Sequence, residues 1–373
     1  MSRLGAVFQI GSLGDSIVSL PALRSLRDLL PDCSEYILVD RFDNVAKVLP
    51  VEVFEMVLKP RKRISYRGPG EGTRLSRMRS IVSLAAQLRY YRPHYGIYLM
   101  PSDRATTQIA RDRAFFGFAG VKEFVGFRKV EQADRAEEQC PSQRCSEAFL
   151  RLRRLWNGQS DQQFAIHGRV PLLEPTRMAD DTVAHWLSNS RRFPERTLVA
   201  VCPFSNCPSR DLSLEVAAGL IQKLESDAGV EVVVVGGSKD VSPGNWIVEH
   251  SGAGLNGCGA FSIGETAALL LRCSLAVAAE SGPMHLAAAV GTPTVVVYSR
   301  TTPHLDRWFP LGTGHTILYR EVACAGCEKP ICPVADHPCI DGVTVGEIFG
   351  AALNTLQGTP LPESRSGTRM LKL

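Results

Sequence analysis

The sequence predicts an α/β protein built from two Rossmann-like halves with a cleft between them, and three observations carry that expectation. Short apolar runs of strand length, at 4–10, 198–201, 275–279 and 294–299, recur between helical stretches. Glycine-bearing turns follow the first and third of these runs and open directly into helices. The chain has 373 residues, too many for one ordinary core and suited to two domains of typical size.

In order, residues 4–10 read as a buried first strand, followed by the turn Gly11-Ser12-Leu13-Gly14. A helix over 15–30 sets Leu20, Leu23, Leu26 and Leu30 on one face, and Pro21 kinks it or marks its true first turn. Residues 36–39 form a strand, 81–88 a helix and 95–100 a strand, while 115–117 and 124–126 look like short βα punctuation. A further helix covers 146–156. Residues 170–197, with Pro171, Pro175 and Pro194 around a helix at 180–190, read as the bridge between domains. The second series runs strand 198–201, helix 213–227, strand 230–235, helix 263–273, strand 275–279, helix 281–290 and strand 294–299. Such alternation implies parallel sheets covered by helices. The expected domains are 1–178, a linker at 179–197, then 198–357. The tail, 358–373, is rich in Ser, Arg, Gly and Pro and is expected to be disordered.

The composition is 45% hydrophobic and 21% charged, and the mean hydropathy is near zero. The apolar runs are too short to span a bilayer. The N-terminus lacks the apolar region and cleavage site of a signal peptide, so a cytoplasmic protein is expected. A net charge of +4 is too mild to imply nucleic acid, and no nucleic-acid partner is expected. The charge is unevenly placed: between 59 and 92, Lys59, Arg61, Lys62, Arg63, Arg67, Arg74, Arg77, Arg79, Arg89 and Arg92 face a single acid, Glu71. That run suits either an anionic ligand or surface, or simply a solvated basic face. Eleven cysteines, an odd number, argue against a disulfide framework.

Three segments can carry chemistry. Gly11-Ser12-Leu13-Gly14-Asp15 turns from a strand into a helix, but lacks the spacing of a dinucleotide fingerprint or a P-loop. Its Asp15 is either a helix N-cap or a carboxylate aimed into the cleft as a general base. Glu280-Ser281-Gly282-Pro283-Met284-His285 follows the 275–279 strand and opens a helix. Ser281 and Gly282 at that N-terminus favour a phosphate, and His285 lies one turn on, able to donate to the same group or to serve only the fold. Pro203-Phe204-Ser205 with Ser209-Arg210-Asp211 is either a diphosphate loop or an ordinary βα loop capped by Ser213.

In this order, the three segments resemble glycosyltransferase family 9, the ADP-heptose:lipopolysaccharide heptosyltransferases. Gly14-Asp15 with Pro21, the stretch 203–214, and 279–291 with Pro293 carry the resemblance. Thr302-Pro303, Trp308-Phe309-Pro310 and the region around 340–348 continue it, so that it covers about 5–355 and is weakest over 50–194. The resemblance implies a GT-B fold, two Rossmann-like domains with parallel sheets facing across a cleft. It further implies inverting, metal-independent transfer of a heptose from ADP-heptose to an acceptor hydroxyl, with no cofactor required for catalysis. On it, Asp15 takes the acceptor's proton. Ser205, Arg210, Glu280, Ser281, Gly282 and His285 hold the donor, and Gly14, Arg61, Lys62 and Arg63 meet an anionic glycan or glycolipid acceptor. The expected place is the cytoplasm, with peripheral association at the inner face of the cytoplasmic membrane left open. The chain departs from the family in having Glu280 at an Asp position and Arg210 at a Lys position. The rival readings are another nucleotide sugar or a small-molecule or protein acceptor, a sugar-nucleotide epimerase, and a non-catalytic nucleotide-sugar-binding protein.

Cys324, Cys327, Cys332 and Cys339 stand within sixteen residues, a density that suits a structural Zn or Fe site. The resemblance also allows the segment to carry no metal. His337 is a substitute ligand.

Overall fold

The structure is a computed structural model. It describes residues 2–42, 51–67, 72–129, 146–156, 160–168, 170–299, 305–324, 327, 329–358 and 368–373. The described chain divides into two compact units, with the boundary between Gly168 and Val170.

The first unit runs β1 (Arg3–Phe8), α1 (Leu13–Ile17), α2 (Leu20–Arg24), α3 (Leu26–Leu29), β2 (Cys33–Phe42), α4 (Val51–Val57) and β3 (Lys62–Arg67). It continues with α5 (Arg74–Tyr91), β4 (Tyr95–Tyr98), α6 (Thr106–Phe118), β5 (Glu123–Val125), α7 (Glu147–Trp156) and α8 (Ser160–His167). Its sheet has the order β3-β2-β1-β4-β5, all parallel. Ala6, Phe8, Ile37, Val39, Ile64, Tyr98 and Phe116 are buried in one cluster on this sheet. Because β1 is central, with β2 on one side and β4 on the other, the chain reverses direction around it. Ligand crevices of open α/β sheets form at that reversal, outside the strands' carboxyl ends.

The single helix expected over 15–30 is three short pieces. Pro21 has no N–H to give to Ile17, and Ser16, Ser19 and Ser25 hydroxyls bond back to the carbonyls of Ser12, Asp15 and Ala22. Residues 115–117, expected as punctuation, lie inside α6. The segment around 124–126 is β5 followed by Gly126 at φ 78°.

The second unit runs α9 (Arg177–Ser190), β6 (Leu198–Cys202), α10 (Leu214–Asp227), β7 (Glu231–Val234), α11 (Val241–Ser251), β8 (Leu255–Asn256), α12 (Ile263–Leu271) and β9 (Leu275–Ala279). Then come α13 (Gly282–Val290), β10 (Thr294–Tyr298), α14 (Leu305–Trp308), β11 (His315–Tyr319), α15 (Val345–Leu356) and β12 (Thr368–Lys372). The order is β12-β11-β10-β9-β6-β7-β8, again parallel, with the reversal between β6 and β9. β6, β9 and β10 are buried along their whole length, as strands covered on both faces must be.

The segment expected as a linker, 179–197, belongs to this unit. α9 packs on α12, and Arg272 donates two hydrogen bonds to Asp180, of 2.7 and 2.9 Å. Within the tail expected to be disordered, residues 368–372 pair with β11, and 359–367 lie outside the described residues.

Candidate functional site

Each unit gathers its chemistry at its own strand reversal. In the first, the turn after β1 depends on Gly11 at φ 149°, where a Cβ would fall 2.4 Å from Asp15. Only glycine lets Asp15 fold back over the turn. Ser12, not Asp15, is the N-cap of α1. Asp15 sits three residues on, and its Oδ2 accepts from the Ser12 amide at 2.9 Å and the Ser12 hydroxyl at 3.1 Å. Gly14 is buried in the same turn of helix.

Oδ1 of Asp15 accepts from Nη2 of Arg151 at 3.1 Å. Arg151 is wholly buried, while the Asp15 side chain is 19% exposed. The same guanidinium donates to the Asp15 carbonyl at 2.8 Å, to the Ser19 hydroxyl at 2.6 Å and to Glu147 at 2.8 Å. Glu147 is equally buried and accepts from the amide and hydroxyl of Ser102, just past β4, at 2.8 and 2.7 Å. A buried acid and base, each multiply bonded, thus tie the β1 turn to the β4 turn through α7. Sequence reading places α7 but passes over this pair. The available signal is Glu147 and Arg151 four apart, in one helix register, among Ala148, Phe149, Leu150, Leu152 and Leu155.

One helical turn beyond, Arg154 is buried beside the Tyr98 ring, 5.5 Å from its centroid. Among the described residues, none of its three guanidinium nitrogens has a hydrogen-bond partner. Burial pulls its pKa down to about 10. Tyr98 donates to Asp112 at 3.0 Å, and Arg104 and Arg111 also reach that carboxylate. The carboxyl end of this sheet is therefore rich in arginine.

Arg61, Lys62 and Arg63 are not part of that group. Arg61 precedes β3, and Lys62 and Arg63 open it opposite Ile37 and Leu38, level with Ala6 and Val7 of β1. Arg61 pairs with Glu35 at 2.7 Å, and Arg63 with buried Asp40 at 2.6 Å.

In the second unit, the loop after β6 folds on itself. Asp211 accepts from the Ser205 amide at 2.6 Å, and the Ser205 hydroxyl donates to the Cys207 carbonyl at 2.7 Å and accepts from its amide at 3.0 Å. Burial raises the Asp211 pKa against those hydrogen bonds. Arg210 comes within 3.6 Å of Glu280, which also accepts from Ser299 at 3.1 Å. The two departures from the family pattern are thus ion-paired with each other. Ser281 is the N-cap of α13, Gly282 and Pro283 form its first turn, and the buried Ser281 hydroxyl has no hydrogen-bond partner among the described residues. His285, buried one turn on, packs edge-on to Trp308 with centroids 6.4 Å apart. An N-cap hydroxyl without a partner at the positive end of a helix dipole suits an anion's oxygens.

Lys239 joins this loop, its Nζ donating to the Ser205 carbonyl at 2.7 Å. It stands in the turn after β7, where a Cβ on Gly236 would meet Asp240, Cys258 and Phe204 within 2.9 Å. The sequence signal for it is Gly236-Gly237 directly after an apolar strand.

The cysteine segment is laced to the same loop. Ser209 donates to Pro330 from its amide and to Lys329 from its hydroxyl, and His337 donates to the Ser209 carbonyl at 2.8 Å. Burial pushes the Cys339 thiol up to about 11, helped by the charges of Cys324, Cys332 and Cys327. Among the described residues, however, no group of three or more His, Cys, Asp or Glu side chains is placed to hold a metal ion. Residues 302 and 303 lie outside the described residues.

Residues 167–336 match the model of Glycosyltransferase family 9 (heptosyltransferase). The chain is 27% identical over 90 residues to lipooligosaccharide heptosyltransferase 2 of Campylobacter jejuni, covering 24% of this chain and 28% of that protein. It is 29% identical over 175 residues to lipopolysaccharide heptosyltransferase 2 of Escherichia coli, covering 43% of this chain and 50% of that protein. These alignments span half or less of either relative's length. Among solved structures, the E. coli ADP-heptose lps heptosyltransferase II superposes with a TM-score of 0.67 at 18% identity, covering 96% of this chain and 99% of that one. That likeness shows the fold, two Rossmann-like units of the GT-B kind. With the motif segments at both strand reversals, the match over residues 167–336 makes the chain similar to glycosyltransferase family 9 over that stretch.

Proposed function

We propose that this chain is an inverting, metal-independent glycosyltransferase that moves a heptose from ADP-heptose to a hydroxyl of an anionic glycan or glycolipid, such as the inner core of lipopolysaccharide. The observation that carries the reading is the Asp15 carboxylate: three donors occupy three of its about four acceptor positions, and the side chain is 19% exposed. The remaining position accepts the acceptor's hydroxyl proton as that oxygen attacks the anomeric carbon. The bond from that carbon to the diphosphate breaks, and ADP departs with the electron pair. Ser281, Gly282 and His285 at the start of α13, with Arg210 and Lys239, meet the charge that grows on the leaving oxygens. Glu280 holds Arg210 in place through their ion pair. Ser205 acts by shaping the loop, since its hydroxyl is spent on Cys207.

The donor and acceptor follow the names of the relatives, both heptosyltransferases acting on lipopolysaccharide or lipooligosaccharide. An anionic acceptor also agrees with Arg104, Arg111 and Arg154 at the carboxyl end of the first sheet.

Calorimetric titration with ADP, UDP, GDP and their sugar conjugates tests the donor. ADP and ADP-heptose bind, and the other two families do not. Asp15→Asn lowers transfer roughly a thousandfold while ADP affinity changes by less than a few fold. Preference for UDP or GDP replaces the donor, full activity of Asp15→Asn removes the base, and binding of none favours a non-catalytic protein.

A further inference from the structure

Gln9 is the one polar residue in the apolar run 4–10, and it is wholly buried just past the end of β1. Its backbone N–H continues the ladder to β2, donating to the Val39 carbonyl at 3.1 Å, so the side chain starts from the frame of the sheet. Its Nε2 donates to the main-chain carbonyl of Asp15 at 3.0 Å and lies 3.5 Å from the Ser16 hydroxyl oxygen. Chemistry fixes which end of the amide faces Asp15, because a carbonyl only accepts. The other end, Oε1, is buried with no hydrogen-bond partner among the described residues.

The Asp15 carbonyl is held in an uncommon way. In a continuous helix it takes the N–H of Ser19, four residues on. That N–H bonds Ser16 at 3.1 Å instead, because α1 stops at Ile17. Three side chains from three places stand in for it: Gln9 past β1, Ser19 before α2 at 2.9 Å, and Arg151 of α7 at 2.8 Å. A carbonyl oxygen has two lone pairs, so one donor is surplus to hydrogen-bond satisfaction. A residue kept for stability alone would not supply a surplus donor while leaving its own Oε1 unpaired in the core.

We propose that Gln9 is a positioning residue for Asp15, fixing the main chain of the base to the end of β1 so that its carboxylate keeps one direction. The inference rests on the reading of Asp15 as the base. Arg151 reaches both the carbonyl and the carboxylate of Asp15, so its removal changes charge and geometry together. Gln9 is neutral, wholly buried and in contact with Asp15 through the main-chain carbonyl. It meets no ligand, and it acts on the reaction only through where Asp15 stands. Small displacements of a reacting group are costly, which is why such groups rest on rigid elements.

The test is steady-state transfer from ADP-heptose by the full chain, compared with Gln9→Met, Asp15→Asn and the double variant. Methionine matches glutamine in length and has no N–H to give. Gln9→Met lowers kcat about tenfold, with KM for the donor changed less than about twofold. Its melting temperature is unchanged or higher, because the Asp15 carbonyl keeps two donors and the unpaired Oε1 is gone. Beside Asp15→Asn the same substitution changes the residual rate by less than about twofold, since no base is left to place. Gln9→Asn, an amide one methylene short, repeats the loss and serves if Gln9→Met does not fold. A folded Gln9 variant with full kcat, or a loss that persists undiminished beside Asp15→Asn, overturns the inference and leaves Asp15 as the base. Full activity of Asp15→Asn removes the base and the inference with it.

Discussion

The two units share one strand order around their central strands, yet they hold their functional groups by opposite means. In the second, the groups proposed to hold the donor come from short local segments: a capping serine and glycine after β9, a loop that hydrogen-bonds itself after β6, and a glycine turn after β7. In the first, Asp15 is held by Arg151, 136 positions away, which in turn rests on Glu147 and, through it, on Ser102. Backbone and turn chemistry can build an anion site from neighbours in sequence, because N–H groups and glycine need no remote partner. Orienting a single carboxylate takes a rigid counter-charge, and here that charge comes from the interior. The first unit buries paired ions at its site. The second buries a neutral histidine in its core.

The largest expected effect breaks the first unit's device. Arg151→Met removes the cation that bonds both Glu147 and Asp15, and Glu147 is wholly buried, so unfolding free energy falls by about 3–5 kcal/mol. Chemical denaturation measures the loss. Arg151→Met/Glu147→Leu replaces both charges with apolar groups and recovers most of the stability. It does not recover turnover if Arg151 positions Asp15, and kcat falls with KM for the donor unchanged. A double variant that is both stable and fully active shows that the pair serves folding alone.

The contrast between the units also explains what could be read in advance. The apolar runs expected at 198–201, 275–279 and 294–299 appear as β6, β9 and β10, because strands buried on both faces are written as continuous Val, Ala and Leu. β11 escapes notice because it opens with His315 and Thr316, polar residues that are nevertheless buried. α11 escapes because Pro243 and Gly244 fall in its first turns, where proline is tolerated. Asp15, Ser281 and Gly282 announce themselves through turn spacing. Arg151 cannot, since nothing in a linear pattern says that a charged residue on an apolar helix will point at a turn 136 positions earlier. Conversely, a run of basic residues does not show that Glu35 and Asp40 wait beside Arg61 and Arg63.

The next effect sharpens the contrast through pH. His315 is buried, bonded to Thr294 at 2.9 Å and to the Leu311 carbonyl at 3.1 Å, and burial lowers its pKa to about 4. The carbonyl only accepts, so Nε2 carries the proton and the ring is neutral. Unfolded, it titrates near 6.5 and binds the proton more tightly. Stability is therefore complete above about pH 6.5 and falls as pH drops toward 4, by about 3 kcal/mol over that window. Thermal melts across it read the slope, and His315→Gln flattens it. A slope that survives the substitution assigns the acid lability to other groups.

The smallest effect is expected at the proposed donor site, where backbone N–H groups at the start of α13 would share the load with side chains. Arg210 is 26% exposed and 3.6 Å from Glu280, so its charge is partly screened and partly spent before any ligand arrives. Arg210→Ala weakens ADP about tenfold, the size of one charge-assisted hydrogen bond. AMP, which lacks the second phosphate, loses less than twofold. Paired titrations of the two nucleotides read the difference directly. If AMP falls as far as ADP, Arg210 acts by holding Glu280 and the loop rather than by meeting the diphosphate, and the donor site depends on an ion pair as the first unit does.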